Sequence, residues 1–295
     1  MSDLTREEFD VLATQDEPNG AIHGTWESAT AETKASLIEK GLTDADGHIT
    51  AAGLEALEPH RARRAVMLAS GFGSRMLPIT INTPKPLVRV KGRRIIDSLL
   101  DALVAVGVEE IYVVCGYLGE LFDQLLYKYP TIKFIDNPIY DSTNNISSAV
   151  EAKDHFQNCY AFESDLYLVN TDLITKYQWQ TNYLGVPVDE TPDWCFVADE
   201  DLKILDLKKG GTNCYHMYGI SYWSAEDGAK LAEDLPREFE ASDETKQRFW
   251  DDVPCVLCNE KYGVHVRPCT FDDIQEVDSF AELQELDEAY RIKES

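Results

Sequence analysis

The pattern of apolar and polar residues divides the chain into a short helical start and a longer stretch in which strands and helices alternate. Helix-like segments at 31–40 and 51–58 are separated by turn-forming residues at 44–47. In the longer stretch, apolar runs typical of buried strands alternate with amphipathic helical segments, the order that produces a helix-covered, mostly parallel sheet. We therefore predict an α/β protein with an accessory module at residues 1–60 and a main domain at residues 61–295.

The main domain is predicted to begin as a doubly wound, Rossmann-like half. Its apolar runs predict strands at 65–68, 111–115, 132–135 and 159–162, and helices at 95–106, 118–129 and 145–156. Beyond Asp165 the pattern changes to short strand candidates between turn-forming residues. These candidates, at 194–197, 204–207 and 217–223, predict a small β-rich substrate lid, and 280–292 predicts a final amphipathic helix.

The segment EKGLTDADGHITAAGLEAL in the first module resembles the last helices and the wing of a winged-helix domain. Such a domain would suggest DNA binding, but residues 1–60 contain thirteen acidic residues against three basic ones, a net charge of −10. An acidic surface repels a phosphate backbone. We therefore expect this helical, winged-helix-like module to serve packing, dimerisation or regulation, and we expect no nucleic-acid partner.

The composition is that of a globular protein, with 44% hydrophobic and 27% charged residues among 295. The polar start and the lack of an apolar run of about 18 residues predict neither secretion nor a membrane partner. Seven cysteines, spread from Cys115 to Cys269, are more typical of buried thiols in a reducing compartment than of a disulfide framework. We expect a cytoplasmic protein. Its oligomeric state stays open, with a homo-oligomer among the alternatives.

The formal net charge is −26, but the basic residues are concentrated in one window. No Asp or Glu occurs between residues 59 and 96, and nine of the 27 basic residues lie there: Arg61, Arg63, Arg64, Arg75, Lys85, Arg89, Lys91, Arg93 and Arg94. A small polyanion such as a nucleoside triphosphate is expected to dock in such a region. The alternative is an arm with basic helix ends and no ligand.

A glycine-rich turn follows the first predicted strand of the main domain and is accompanied by two cations. It consists of Leu68, Ala69, Ser70, Gly71, Phe72, Gly73, Ser74 and Arg75, and the segment Thr83-Pro84-Lys85-Pro86-Leu87 follows. Glycine lets backbone N–H groups approach phosphate oxygens, Arg75 adds a forked cation and Lys85 a point charge. The turn is no Walker A loop, which ends in Gly-Lys-Ser/Thr, and no dinucleotide fingerprint, because position 76 is Met.

This stretch resembles the signature of the sugar-phosphate and related nucleotidyltransferases, roughly L-A-A-G-x-G-S/T-R, a spacer, and T-P-K-P-L. Ser70 replaces the usual second Ala. The similarity continues through Gly116-Tyr117-Leu118, Asn144-Asn145 and Glu163-Ser164-Asp165, and covers about residues 64–290. In its details the sequence most resembles the bacterial CTP:phosphocholine cytidylyltransferases.

The resemblance implies a role for each matching position. The loop from Leu68 to Arg75 would wrap the triphosphate, and Lys85 would hold the region of the α-phosphate. Asp165 and Asp278 would bind Mg²⁺, the cofactor. The base would be lined around Gly116 and by the segment from Asn137 to Ser148, which includes Asn145. The implied catalytic residues are Arg75, Lys85 and Asp165.

The chemistry implied by the resemblance is the conversion of CTP and phosphocholine to CDP-choline and pyrophosphate, for use in decorating a cell surface. A phosphate monoester is largely dianionic at neutral pH and can attack the α-phosphorus directly, so positioning and charge neutralisation suffice without a general base. Aromatic faces bind quaternary ammonium groups. The resemblance assigns this role to Trp194, Tyr222, Trp223 and Trp250.

Three other interpretations stay open at this point. A sugar 1-phosphate could replace phosphocholine as the acceptor, in a site with more hydrogen-bonding side chains and fewer aromatic ones. The chain could be a ligand-sensing regulator built from the winged-helix-like module and a degenerate enzyme. Cys255 and Cys258, with Cys269 and His265 nearby, could form a zinc site, although a single C-x-x-C is a weak signal.

Overall fold

The computed structural model describes residues 4–291. Its helices are α1 Arg6–Gln15, α2 Ala31–Glu39, α3 Ala51–Leu57, α4 Ile95–Ala105, α5 Ile146–Glu151, α6 Ala225–Ala241 and α7 Phe280–Leu286. Its strands are β1 Arg64–Leu68, β2 Arg89–Val90, β3 Arg93–Arg94, β4 Glu110–Cys115, β5 Lys133–Asp136, β6 Cys159–Glu163, β7 Leu166–Leu168, β8 Asn182–Ala198, β9 Ile204–Trp223, β10 His265–Pro268 and β11 Ile274–Glu276.

Seven strands form the central sheet in the order β10-β8-β9-β6-β1-β4-β5. Four of the six pairings are parallel, and β9 runs antiparallel to both of its neighbours. The predicted α/β fold with a mostly parallel sheet is thus confirmed. From β1 the chain adds β4 and β5 on one side and then β6 on the other. Such a reversal of strand order leaves a crevice at the carboxyl ends of the strands on either side of it.

Helices cover both faces of β1, which explains why the strand is an uninterrupted apolar run. Successive side chains of a strand point to opposite faces. Ala65 and Met67 belong to the core cluster that contains residues of α4, and Val66 and Leu68 belong to the cluster that contains residues of α5 and α6. The loop that follows Leu68 therefore starts from a strand that is fixed on both sides.

Three of the predicted helices are shorter or less regular than expected. Residues 118–129 form consecutive 3₁₀ turns over Gly119–Tyr127, and the helix predicted over 145–156 is α5 followed by the 3₁₀ turn Lys153–His155. The final helix, predicted to reach Ile292, ends at Leu286 and is followed by a 3₁₀ turn. Residue 292 itself lies outside the described residues. The helix predicted over 95–106 is confirmed as α4.

The β-rich region after Asp165 is more extensive than the sequence predicts. The three short strand candidates are parts of β8, with 17 residues, and β9, with 20 residues, which pair as one long hairpin. Thr191-Pro192-Asp193 signals a turn, but it forms an irregularity within β8, where the pairing register shifts between Thr191 and Trp194. Because β9 also pairs with β6, the expected lid is an extension of the central sheet.

The accessory module consists of α1, α2 and α3 and packs directly on the main domain. Phe9, Leu12, Leu37 and Leu57 form its core, and this core includes Tyr177 of the main domain. A wing-like turn between α2 and α3 is closed by the single bridge of Thr43 with Ile49. The module is helical, as expected, but its winged-helix identity is not confirmed.

Buried polar contacts extend this seam between the module and the main domain. The carboxylate of Glu17 accepts hydrogen bonds from the backbone N–H groups of Lys176, at 2.8 Å, and Tyr177, at 3.1 Å. The Tyr177 hydroxyl donates to Asp16 at 2.6 Å, and the rings of His60 and Trp179 stack at 5.2 Å. The module is thus held by specific contacts in addition to apolar burial.

All seven cysteines are buried free thiols, as the sequence predicts. Between residues 4 and 291, no helix has both the length and the apolar character that crossing a bilayer requires.

Candidate functional site

A cavity of about 850 Å³ opens at the carboxyl ends of β1 and β6. Its first wall is the nucleotide loop, which we define as residues 68–75, together with Lys85. Its second wall is the β8–β9 hairpin, which includes Trp194 and Tyr218. The segment from Glu163 to Leu166 lies between the two walls. The volume falls in the range of small-molecule sites.

Gly73 is required by the packing of the nucleotide loop. It has a φ of +62°, in the left-handed region that favours glycine. A Cβ atom at this position would lie 3.0 Å from the Cβ of Lys85 and 3.1 Å from a methyl group of Thr80. The Thr80 hydroxyl also donates to the Gly73 carbonyl at 2.9 Å. Gly73 therefore lets the loop fold directly against the segment that carries Lys85.

Polar contacts beneath the loop hold it in place. The Ser70 and Ser148 hydroxyls are 2.6 Å apart, and Asn137 donates to Ser148 at 3.0 Å. The Ser164 hydroxyl donates to the Leu68 carbonyl at 2.6 Å. Ser148 is fully buried and does not line the cavity, so its predicted contact with the nucleotide is replaced by a supporting contact with the loop.

Gly116 also supports the site without lining the cavity. A Cβ atom on Gly116 would lie 2.6 Å from Cγ of Tyr140, so the missing side chain leaves room for this ring. The ring of Tyr140 lines the cavity and lies 5.3 Å from that of Phe72, in the nucleotide loop. The structure therefore places Tyr140, which belongs to the segment 137–148 predicted beside Gly116, on the cavity wall next to this glycine.

Two cations and two carboxylates meet at the end of the nucleotide loop. Lys85 Nζ lies 2.8 Å from Asp165 Oδ2 and 2.8 Å from Asp278 Oδ1, and Arg75 forms a forked pair with Asp278 at 2.5 and 2.9 Å. Burial lowers the pKa of Lys85, but Asp165 and Asp278 outweigh this effect, so the net pKa lies above its usual value. Lys85 thus stays a cation although its side chain is only 9% exposed.

A third carboxylate, Glu276, joins Asp165 and Asp278. Their carboxylate oxygens lie within 4.8 Å of one another, a cluster that could hold a metal ion. Burial, with the charges of Asp278 and Asp165, raises the pKa of Glu276 to about 8. Asp165 Oδ1 is buried and has no hydrogen-bond partner among the described residues. This unpartnered oxygen and the all-oxygen donor set fit a magnesium ion.

The sequence analysis missed Glu276, although the sequence contains a signal for it. Glu276 is two residues before Asp278, and side chains two apart share one face of a strand. Glu276 ends β11, which pairs with β7 so that Glu276 is opposite Leu166, next to Asp165.

Two aspartates of the segment 249–252 form an acidic end of the cavity. Asp251 accepts a hydrogen bond from the Tyr183 hydroxyl, and Asp252 accepts one from Arg248 at 3.3 Å. Burial and the charge of Asp252 outweigh the Tyr183 hydrogen bond and raise the pKa of Asp251 to about 7. Burial also raises the pKa of Asp252.

Glu163 adds a third carboxylate to this end. Burial, followed by the charges of Asp165 and Asp251, raises its pKa well above the usual value. A Cβ atom on Gly219 would lie 2.6 Å from Glu163 Cγ, so the glycine makes room for this side chain. Glu163 Oε1 accepts a hydrogen bond from Asn145 Nδ2 at 3.3 Å. The three carboxylates together make this end suitable for a cationic group.

Three of the four predicted aromatic ligands lie in the core. Tyr222, Trp223 and Trp250 are 1%, 0% and 2% exposed and do not line the cavity, because β9 and the sheet face bury their rings. Trp194 does line the cavity, and its ring lies 5.5 Å from that of Phe249, which also lines it. The predicted four-ring cage is therefore reduced to Trp194 with Phe249 as a second ring.

We expect Trp250→Ala to lower the free energy of unfolding by about 3–5 kcal/mol, because it removes a ring packed 5.4 Å from Phe156 and 5.5 Å from Trp223. Trp194→Ala should cost about 1 kcal/mol or less, since its ring is only partly buried. Guanidinium unfolding curves of both variants check this. If Trp250→Ala left the stability unchanged and raised the KM for the acceptor, Trp250 would instead be assigned to acceptor binding.

The residues of the zinc alternative are not assembled. Among the described residues, the groups with metal-ligating atoms close together are Asp165, Glu276 and Asp278, and the exposed turn residues Asp44, Asp46 and His48. Cys258 lies 3.2 Å from an Arg237 nitrogen.

The fold is shared with known enzymes. Residues 65–188 match the model of the MobA-like NTP transferase domain. A 2-aminoethylphosphonate cytidylyltransferase of Lancefieldella rimae is 37% identical over 77% of this chain and 92% of its own length. A choline-phosphate cytidylyltransferase of Streptococcus pneumoniae is 30% identical over 76% of this chain and 97% of its own length. The solved CTP:phosphocholine cytidylyltransferase from Streptococcus pneumoniae superimposes with a TM-score of 0.70 at 28% identity, over 78% of this chain and all of that one.

The similarity to these enzymes, in a chain whose cavity lies at the carboxyl ends of a mostly parallel sheet, identifies the protein as a nucleotidyltransferase. The chain belongs to the MobA-like NTP transferase family, among members of the cytidylyltransferase type.

Proposed function

We propose that this enzyme transfers the cytidylyl group of CTP to a small acceptor that carries a phosphonate or phosphate at one end and an ammonium group at the other. The observation that carries this proposal is the acidic end of the cavity, where Glu163, Asp251 and Asp252 lie together. Within residues 4–291, Arg248 is the only cation paired with any of them. Each of the three accepts a hydrogen bond from the protein, but among the described residues only Asp252 is paired with a cation, so an ammonium ligand would supply the positive charge that buried carboxylates require.

A primary ammonium group fits this end best, with 2-aminoethylphosphonate as the first candidate. A primary ammonium offers three N–H donors to carboxylates, whereas a quaternary one offers none and relies on aromatic faces. Three of the four expected rings are in the core, and the relative that is 37% identical is named for 2-aminoethylphosphonate. Phosphocholine is the second candidate, because Trp194 and Phe249 still line the cavity and could contact a trimethylammonium group.

We also propose that Asp165, Asp278 and Glu276 hold Mg²⁺, which when bound neutralises charge on the triphosphate. The chain's own residues then perform the positioning. The nucleotide loop holds the triphosphate and Lys85 stabilises charge near the α-phosphorus. Arg75, whose side chain is 68% exposed, binds the leaving pyrophosphate.

In the proposed reaction, an oxygen of the acceptor phosphonate or phosphate forms a bond to the α-phosphorus. The bond from that phosphorus to the bridging oxygen of the β-phosphate breaks, and pyrophosphate leaves in line. A phosphate monoester is already largely dianionic at neutral pH, and a phosphonate also carries an anionic oxygen, so no side chain needs to remove a proton from the attacking group.

Pyrophosphate release tests the proposal directly. The assay would contain MgCl₂, each NTP in turn and a panel of 2-aminoethylphosphonate, phosphoethanolamine, phosphocholine and glucose 1-phosphate. We expect the highest kcat/KM with CTP and 2-aminoethylphosphonate. A preference for phosphocholine would select the second candidate, and turnover with glucose 1-phosphate alone would refute an ammonium acceptor. Absence of turnover across the panel would favour the ligand-sensing regulator.

We expect Asp252→Asn to raise the KM for the ammonium acceptor about tenfold to hundredfold and to leave the KM for CTP within twofold. The reason is the loss of a charged partner, worth about 1.5–3 kcal/mol, at the acceptor end only. Steady-state kinetics with each substrate varied in turn check this. Asp201→Asn is the matched control, because Asp201 is exposed and does not line the cavity. Equal effects of the two substitutions would argue against an ammonium-binding role.

A further inference from the structure

Asn145 stands where three parts of the site meet. It directly precedes α5 and lines the cavity. Its Nδ2 donates to Glu163 Oε1 at 3.3 Å, and its Oδ1 accepts from the backbone N–H of Trp250 at 2.9 Å. Both ends of its amide are therefore already engaged by protein groups. This arrangement differs from the contact with the base that the resemblance implies.

The contact with Trp250 joins two segments that are 105 residues apart. We define the acceptor segment as residues 246–252, which includes Phe249, Asp251 and Asp252 on the cavity wall. The ring of Trp250 is buried in the core, and the backbone N–H of Trp250 donates to Asn145. The residues on either side of Trp250 are thereby turned towards the cavity.

The neighbouring residue adds to the same junction. Asn144 donates from its backbone to the Lys246 carbonyl at 3.0 Å and from its side chain to the Gln247 carbonyl at 3.1 Å. The Gln247 side chain donates in return to the Ser142 carbonyl at 2.9 Å. Four hydrogen bonds, with that of Asn145, thus connect residues 142–145 to the acceptor segment.

One turn further along α5, Ser148 contacts the nucleotide loop through Ser70 at 2.6 Å. The same short helix therefore supports the nucleotide loop at one position and the acceptor segment at another. Reaction rates depend strongly on the relative placement of two bound reactants, and a shift of about 1 Å can cost about a hundredfold.

We infer that Asn145 is a positioning residue that holds the acceptor segment in register with the nucleotide loop, and that it acts on the acceptor and not on the base. This inference rests on the proposed function for the identity of the acceptor, but its structural part does not. Loss of the Asn145 side-chain amide would leave the backbone N–H of Trp250 without this acceptor. Asp251 and Asp252 could then move relative to the α-phosphorus of bound CTP.

Hydrogen exchange measured by mass spectrometry tests the structural part without any substrate. In Asn145→Ala, amide exchange in peptides covering 246–252 should be at least about tenfold faster, while peptides covering the nucleotide loop are unchanged. Asn145→Asp is the conservative variant, because it keeps an oxygen that accepts from the Trp250 N–H. It should restore the protection of 246–252. Unchanged exchange in Asn145→Ala would overturn the inference.

Kinetics of the same variants test the functional part. Asn145→Ala should raise the KM for the acceptor or lower kcat by about tenfold and leave the KM for CTP within twofold. A raised KM for CTP with reduced discrimination against UTP would place Asn145 at the base and overturn the inference. If the wild-type enzyme turned over none of the ammonium acceptors, the proposed function would fail, whereas the exchange measurement would still decide the role of Asn145.

Discussion

Asp165→Asn is expected to lower kcat for cytidylyl transfer by about a thousandfold or more. The Asp165 carboxylate follows β6, pairs with Lys85 through Oδ2 at 2.8 Å, and clusters with Glu276 and Asp278, while its buried Oδ1 has no hydrogen-bond partner among the described residues. An amide cannot supply the negative charge that a divalent cation requires. A loss of several kcal/mol of charge stabilisation corresponds to at least three decades in rate, at about 1.4 kcal/mol per decade.

Two measurements separate this effect from misfolding. Binding of Mn²⁺, followed by electron paramagnetic resonance in the presence of CTP, should weaken in Asp165→Asn together with the loss of turnover. Asp172→Asn, at an exposed carboxylate a few residues along the chain, should leave both within twofold. Full activity of Asp165→Asn would remove Asp165 from the proposed metal site.

Lys85→Met should lower kcat/KM for CTP by about a hundredfold to a thousandfold, the usual cost of removing one preorganised electrostatic contact with a transition state. Methionine has a similar length and no charge. Lys85 is the buried cation between Asp165 and Asp278, so its loss also leaves these carboxylates without a neutralising partner. Steady-state kinetics with CTP varied at saturating acceptor give the result.

Lys133→Met is the matched control for this substitution, because Lys133 is on the surface, with 54% of its side chain exposed. It removes the same formal charge and should leave kcat/KM within twofold. If the two variants were equally impaired, the effect would come from net charge, and Lys85 would lose its assigned role.

The parts of the fold and site that the sequence predicts are those encoded by neighbouring residues. The apolar run of β1, the loop with Gly73 and Arg75, and Lys85 lie within about twenty consecutive residues, and the structure brings them to one cavity wall. The parallel sheet follows from the alternation of strand and helix patterns, which depends on periodicity alone.

The other parts depend on contacts between distant residues, which a local pattern does not contain. Trp250 and Trp194 are the same residue type and each has an aspartate beside it in the sequence, yet one is in the core and the other lines the cavity. Asn145 accepts a hydrogen bond from the backbone of a residue 105 positions later, a contact that its sequence neighbours do not signal. The Pro192 signal for a turn is overridden because β8 continues by pairing with β9 on both sides of it.

The contact of Arg75 with Asp278 spans 203 residues of chain, and Asp278 follows β11, which pairs with β7 near the end of the described sequence. During synthesis, at about 5–20 residues per second, the nucleotide loop would leave the ribosome at least about ten seconds before Asp278, the carboxylate that pairs with Arg75. Contacts between residues so far apart in the sequence also form late in refolding, because closing the chain costs entropy before the contacts can contribute stabilising energy. Nascent chains that end before residue 274 therefore cannot assemble the cation and carboxylate cluster, which is complete only after β11 and Asp278 have been added.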